Sequence, residues 1–139
     1  MIRAATNDDL YAVYGLMRQL SRYPFTKEQF ESCYLHNLEN NYILVREQNK
    51  HVDACGVLSI RFPLHFSCKT AEIINLIVDE GARNQGIGKQ LLVSFEAIAV
   101  ASGCVCIVVN SGKQREAAHR FYEREGYVYT HYRFTKEFS

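Results

Sequence analysis

The stretch from Val78 to Leu92, VDEGARNQGIGKQLL, constrains the fold more than any other part of the chain. It continues an apolar run from Ala71 to Val78, which is typical of a central strand covered on both faces. After the stretch, apolar residues recur at helical spacing. Gly86 and Gly88 tolerate positive φ and let a ligand approach the backbone closely. The sequence therefore predicts a strand, a glycine loop and a helix in succession.

The glycine loop has the features of a pyrophosphate site. The first turn of the following helix has unpaired N–H groups and the positive end of the helix dipole. Arg83 and Lys89 add positive charge on either side of the glycines. We therefore predict that this loop binds the diphosphate of a large cofactor or co-substrate through Arg83, Asn84, Gln85, Gly86, Ile87, Gly88 and Lys89.

Two other phosphate loops have spacings that this chain lacks. A Walker A loop needs a glycine at the position of Arg83, and Ser or Thr at the position of Gln90. A dinucleotide fingerprint needs Gly or Ala where Leu91 stands. The motif that this loop does match is R-x-x-G-x-G after an apolar strand, formed by Arg83, Gly86 and Gly88.

Composition excludes several classes of protein. With 139 residues, 47% of them apolar, the chain can form one domain with a substantial core, predicted here as residues 1–139. A net charge of +1 disfavours wholesale nucleic-acid binding, and no apolar run is long enough for a membrane helix. The N-terminus has acidic residues where a signal peptide would be apolar, which favours the cytoplasm. The cysteines, interpreted as free thiols, lack zinc-ligand spacing: Cys33, Cys55, Cys68, Cys104 and Cys106.

Hydrophobic periodicity and turn residues predict ten elements. Strands are expected at 2–5, 42–47, 52–62, 71–78, 104–109 and 127–138, and helices after Thr6, after Thr26, from Ile87 to near Gly103, and at 114–125. The order is βααβββαβαβ, a mixed α/β domain with a sheet flanked by helices.

The loop and the element order together resemble the GNAT superfamily of acetyl-CoA-dependent N-acetyltransferases. The resemblance implies the GNAT fold and acetyl-CoA as co-substrate. It also implies that main-chain groups of Ile77 and Val78 pair with the pantetheine arm and stabilise the oxyanion. Members of the family often have a seventh strand, and one supplied by a partner subunit would favour a homodimer.

Two residues are candidates for proton transfer. Glu72 is a carboxylate in an apolar strand, a setting that raises a carboxyl pKa, and the resemblance implies that it takes the amine proton directly or through water. The alternative is a strand-end carboxylate that is simply solvated or is paired with Lys69. Tyr122 has a phenol that can protonate a leaving thiolate, as the family's tyrosine at this place does. Its alternative role is core packing.

The segment from Asn110 to Tyr122 adds two cofactor candidates. The resemblance implies that Asn110 contacts the pantetheine amide and that Arg115 lies near the adenosine phosphates. A surface arginine is the alternative for Arg115.

The C-terminal residues sharpen the resemblance to aminoalkylphosphonate N-acetyltransferases. A phosphonate needs cationic partners, for which the candidates are Arg61, His65, His131 and Arg133. Members of that group can use a divalent metal, but the sequence has no tight carboxylate and histidine cluster that would support one. Other acceptors stay open, namely a polyamine, an aminoglycoside or a protein lysine. A non-catalytic acyl-CoA sensor domain is a further alternative, from a different functional class.

Overall fold

The computed structural model of the chain describes residues 1–21, 23–111, 115–131 and 133–138. Contacts between Cα atoms divide the chain into two units, Met1–Val108 and Val109–Ser139. Within the described residues, no helix has the length and apolar character needed to cross a membrane.

Five strands and four α-helices occur in the described residues. The strands are β1 (Ile2–Ala4), β2 (Tyr42–Gln48), β3 (His51–Arg61), β4 (Thr70–Val78) and β5 (Ile107–Val109), and the helices are α1 (Leu10–Leu20), α2 (Lys27–Asn40), α3 (Ile87–Ala101) and α4 (Glu116–Arg124). The predicted helix start at Gln114 lies outside the described residues.

The sheet has the order β1-β2-β3-β4-β5, and its first three pairings are antiparallel. The strand predicted at 104–109 is shorter than expected, because only its last three residues form β5. Cys104 and Val105 lie before β5, although Val105 N–H already donates to Lys69 O over 2.9 Å.

A network of polar side chains fixes the 3₁₀ turn Asn7–Asp9, which leads directly into α1. Thr6 and Asp9 form a capping box, in which each side chain accepts a backbone N–H. The Asp9 carboxylate also pairs with both terminal nitrogens of Arg3, at 2.8 and 2.9 Å. The hydrogen bonds from Arg3 lower the pKa of Asp9 below its ordinary value, so the carboxylate stays charged at neutral pH. Thr6 is therefore confirmed as a cap, although it caps the 3₁₀ turn and Asp9 is the N-cap residue of α1.

Helices cover both faces of the sheet. On one face, Leu10, Val13 and Leu16 of α1 share a hydrophobic cluster with Cys55 and Val57 of β3. Gly56, between those two strand residues, faces the other side, because successive Cβ directions alternate along a strand. A Cβ atom at Gly56 would lie 2.7 Å from Cε2 of Phe95, so α3 packs on this second face.

Gly56→Ala is expected to lower the free energy of unfolding by about 1–3 kcal/mol, as overpacking does in a dense core. The added methyl group would meet the Phe95 ring and, at 2.9 Å, the Asn75 carbonyl oxygen, and backbone cannot swing aside as a long side chain does. Denaturant unfolding measures the change.

Gly15→Ala is the matched control. Gly15 lies in α1, and a Cβ atom there would meet nothing within 4 Å, so alanine should stabilise the helix by about 0.5–1 kcal/mol. Equal effects of the two substitutions would contradict the close packing of Gly56 against Phe95.

The second unit contains α4, but the strand expected at 127–138 is not found in the described residues 127–131 and 133–138. This prediction was wrong, and residue 132 lies outside the described part. A strand exists through ladder bonds to a neighbour, whereas Tyr127 N–H donates back to Tyr122 O of the helix over 3.0 Å. Gly126, with φ of +91°, turns the chain there.

Candidate active site

The predicted phosphate loop is an exposed turn between β4 and α3. Asn84 and Gly86 both have left-handed backbones, with φ of +66° and +76°. Gly86 is the N-cap of α3 and has no side-chain capping bond, and a Cβ there would meet nothing within 4 Å. The backbone at this turn is thus open to a ligand, as the sequence analysis expects.

The start of α3 presents backbone donors at this turn. The first helical bond runs from Gln90 N–H to the Gly86 oxygen, so the amides of Ile87 and Gly88 precede it and have no intrahelical acceptor. Ile87 is only 2% exposed, so its side chain belongs to the core. The side chains of the remaining predicted loop residues are exposed: Arg83, Asn84, Gln85 and Lys89.

Arg83 ties the loop to the end of β4. Its Nε donates to the Val78 carbonyl oxygen over 3.1 Å, which holds the guanidinium at the point where the strand ends. Two of the predicted cofactor-binding residues are therefore in direct contact, and a cation lies beside the last main-chain groups of β4.

The register of β4 distinguishes Ile77 from Val78. Asp79 N–H donates to Asp53 O, so the amides that face β3 are those at 79, 77 and 75, because N–H groups alternate along an antiparallel strand. The main chain of Ile77 therefore takes part in the ladder with β3. The amides and carbonyls of Leu76 and Val78 face away from β3, and of the two predicted residues Val78 has the better placed main chain.

A β-bulge interrupts β4 in its middle. Val57 pairs with Asn75 and Leu58 with Ile73, so Ile74 is an extra residue on β4. Ile74 is 39% exposed although it lies in a largely apolar strand. Bulges bend a strand and re-aim its side chains, and they are common beside active sites. The residues of β4 alone contain no signal for this irregularity.

Asp79 and Gln19 are positioning residues that the sequence analysis missed. Gln19 Nε2 of α1 donates to Asp79 Oδ1 over 2.7 Å, and Gly81 N–H donates to Asp79 Oδ2 over 3.3 Å. The Gln19 bond is the main cause that lowers the pKa of Asp79, so a carboxylate braces the chain just before the loop. The segment Asp79-Glu80-Gly81 has the composition of an Asx turn, which was the available signal.

Glu72, the candidate base, is less enclosed than its apolar strand predicts. Its side chain is 27% exposed, and Oε1 lies 4.0 Å from Nε of Arg61. In the register of β3 and β4, Glu72 lies opposite Ser59. The ammonium of Lys69 donates from Nζ to Ser102 O over 3.1 Å. Lys69 is thus engaged with Ser102, and Arg61 of β3 is a cation beside the Glu72 carboxylate.

In the second unit, Tyr122 is buried, at 9% exposure, on α4. Its ring packs against Phe121 and Tyr127, with centroids 5.2 and 5.9 Å away. Burial raises the pKa of the Tyr122 phenol above its ordinary value, and the charge of Arg115 offsets part of that rise. The phenol is thus protonated at neutral pH and can act as an acid.

The remaining candidates of the second unit lie before α4. Arg115 is the N-cap residue of the helix and is exposed. Asn110 follows β5, and next to it the buried Ser111 hydroxyl has no hydrogen-bond partner among the described residues.

The cationic candidates for an acidic acceptor are divided between the two units. Arg61 ends β3 near Glu72, while His65 lies in the following loop with its ring on Phe66, 4.5 Å between centroids. In the second unit, His131 Nδ1 lies 2.6 Å from Thr130 Oγ1, and Arg133 is exposed. Within the first unit, Arg61 lies beside the candidate catalytic carboxylate of Glu72.

Within the described residues, no group of three or more His, Cys, Asp or Glu side chains could hold a metal ion. The five cysteines are free thiols, and burial raises the pKa of Cys55 to about 12, so that thiol is inert.

Comparison with known proteins identifies the family. The model of the acetyltransferase (GNAT) family matches residues 10–127. The chain belongs to the GNAT acetyltransferase family. The predicted family, α/β fold and enzyme class are thereby confirmed, and acetyl-CoA is the co-substrate that GNAT acetyltransferases use.

One curated GNAT relative and two solved structures illustrate the similarity. The chain is 34% identical over 137 residues to aminoalkylphosphonate N-acetyltransferase of Salmonella typhimurium, covering 97% of this chain and 89% of the relative. A transcriptional regulator from Bacillus halodurans C-125 is 26% identical with a TM-score of 0.89, covering 99% of each chain. An aminoglycoside N-acetyltransferase in complex with CoA is 16% identical with a TM-score of 0.86, covering 99% of this chain and 93% of the other. The similarity to this aminoglycoside N-acetyltransferase is one of fold.

Proposed function

We propose that this acetyltransferase acetylates the primary amine of a small aminoalkylphosphonate. The observation that carries the proposal is the 34% identity to the Salmonella typhimurium enzyme of that name, which extends over nearly the whole of both chains. Arg61 beside Glu72 supports it, because the acceptor has an ammonium and an anionic group on one short molecule.

The proposed reaction is direct attack. Glu72 accepts a proton from the ammonium, directly or through water, and the neutral nitrogen attacks the thioester carbon of acetyl-CoA. The resulting oxyanion is stabilised by backbone N–H groups of β4 that face away from β3, which are those of Leu76 and Val78. Collapse breaks the carbon–sulfur bond and releases a thiolate, which takes the proton of the Tyr122 phenol. The acetylated nitrogen then loses its second proton, which returns the Tyr122 phenolate to the phenol, and Glu72 releases its proton to water.

In the same proposal, the loop from Arg83 to Lys89 binds the diphosphate of acetyl-CoA. The open left-handed turn at Gly86 and the amides at the start of α3 support this assignment. The main chain of Val78 pairs with the pantetheine arm, because that of Ile77 is already in the ladder with β3. Asn110 contacts the pantetheine amide, and Arg115 lies near the adenosine phosphates.

Three further predictions from the sequence also stay proposals. Residues 1–139 act as one catalytic domain, which the family match at 10–127 supports because it includes residues of both units. The protein works in the cytoplasm, and it forms a homodimer. The exposed apolar side chains of the last segment support a dimer, since Val128, Phe134 and Phe138 are 79%, 93% and 90% exposed.

An amine panel with acetyl-CoA tests the acceptor, with free thiol as the readout. We expect aminomethyl- and aminoethylphosphonate to give a higher kcat/KM than alkylamines of the same length, a polyamine, an aminoglycoside or a lysine peptide. A higher kcat/KM with a polyamine, an aminoglycoside or a lysine peptide would contradict the phosphonate proposal and assign that compound's class as the acceptor. Tight CoA binding without turnover of any amine would instead identify a sensor.

A further inference from the structure

Arg61 and Glu72 form a pair of opposite charges on one face of the sheet. Arg61 is in register with Thr70 and Glu72 with Ser59, so the two side chains are diagonal neighbours on adjacent strands. Arg61 Nε and Glu72 Oε1 are 4.0 Å apart. Ser59 and Thr70, at 8% and 5% exposure, lie beside them as buried hydroxyl residues.

This ion pair differs from the others in the described residues. Arg3 and Arg46 contact their carboxylates within hydrogen-bond distance, and their side chains are 29% and 15% exposed. Arg61 is 51% exposed, and its 4.0 Å separation from Glu72 exceeds a hydrogen bond. Such a loose, accessible pair contributes little to stability. The exposed guanidinium of Arg61 can therefore turn to a ligand at low cost.

The pair also lies next to the distortion of β4. Glu72 precedes the extra residue Ile74 by two positions, and the same strand continues to Val78, which accepts a hydrogen bond from Arg83 of the phosphate loop. On the proposed function, this strand runs beside the thioester arm. A ligand that occupied the pair would then have its amine on the strand that positions the acetyl donor.

We propose that Arg61 and Glu72 are a receptor for zwitterionic acceptors, in which Arg61 binds the anionic end and so determines acceptor specificity. The guanidinium presents a planar fork of donors that matches two phosphonate oxygens, while Glu72 accepts from the ammonium. In an aminoalkylphosphonate, one or two carbons separate these groups, which suits charges as close as those of the pair. The second cation of a polyamine would be repelled by Arg61.

This inference rests on the proposed function, and Arg61→Gln tests it. We expect the variant to raise KM for aminoethylphosphonate by about 10- to 100-fold, as loss of a hydrogen bond to a charged group does. KM for acetyl-CoA and kcat/KM for an uncharged alkylamine should change less than about 3-fold. Arg61→Lys should recover part of the loss, because it restores the charge without the fork.

Arg120→Gln is the matched control, since it makes the same chemical change at an exposed position of α4. It should leave every one of these constants unchanged, and thermal unfolding should show that both variants are folded. An Arg61→Gln variant that loses turnover equally with phosphonates and uncharged amines would overturn the specificity role. So would an unchanged KM for the phosphonate.

Calorimetry with aminoethylphosphonate separates this inference from the proposed function. Phosphonate binding to the wild type but not to Arg61→Gln, without acetylation, would refute the proposed function and support the receptor. Acetylation and binding that are equal in both proteins would support the function and refute the receptor. No phosphonate binding to the wild type would refute both.

Discussion

Replacing Tyr122 by phenylalanine is expected to lower kcat by about 10²- to 10⁴-fold, the usual contribution of a positioned proton donor. The substitution removes one hydroxyl from a buried ring and leaves its packing against Phe121 and Tyr127 in place. KM for acetyl-CoA should stay near the wild-type value, because the phenol acts on the thiolate that forms during the reaction. Steady-state kinetics with saturating amine measures both constants.

The alkaline pH profile gives a second readout for Tyr122. Burial raises the pKa of its phenol, so the acid form persists above the ordinary tyrosine pKa of about 10 and is lost only when the pH exceeds that raised value. Wild-type kcat should therefore show no fall from ionisation of this group below about pH 10.

Tyr127→Phe is the control for Tyr122→Phe. It removes the same hydroxyl from the neighbouring ring, 5.9 Å away between centroids, and kcat should change less than about 3-fold. Equal kcat values for the Tyr122 variant and the wild type would assign Tyr122 to packing alone.

The strand, loop and helix around Gly86 could be predicted because each depends on local chemistry. An apolar run, two glycines and a helical stripe specify their own backbone over a few residues. The capping residue Thr6 is of the same kind, since its partner Asp9 lies three positions away.

The features that failed prediction depend on partners far along the chain. The bulge at Ile74 arises from the register between β3 and β4, which single-strand periodicity does not contain. The Gln19 to Asp79 bond joins residues sixty positions apart. Glu72 was expected in an apolar setting because its own strand is apolar, but Arg61 of the neighbouring strand sets its surroundings.

The missing last strand has a similar cause. Residues 127–138 alternate loosely, as an edge strand does, but a pattern of side chains does not supply a neighbour for the backbone. In the described residues the chain turns at Gly126 and bonds back to α4, so the strand prediction fails where pairing, not propensity, decides.

Gly86→Asp is expected to weaken acetyl-CoA binding by about 10- to 1000-fold relative to Gly86→Asn, as a like charge some 4 Å from a phosphate does at a partly exposed site. Both residues tolerate the left-handed backbone at φ of +76°, and open space surrounds the Cβ position. The two variants have nearly the same shape, so their difference isolates the effect of charge on the diphosphate. Calorimetric titration with acetyl-CoA measures it.

The free energy of unfolding of Gly86→Asp should not fall in the way that its affinity for acetyl-CoA does. Gly86 is the N-cap of α3, where a carboxylate caps backbone N–H groups and interacts favourably with the helix dipole. The thermal unfolding midpoint of Gly86→Asp should therefore equal or exceed that of Gly86→Asn, although the Asp variant binds acetyl-CoA far more weakly. S-acetylpantetheine, which lacks the diphosphate, should not distinguish the variants. If it does, or if both bind acetyl-CoA equally, the diphosphate does not lie at the start of α3.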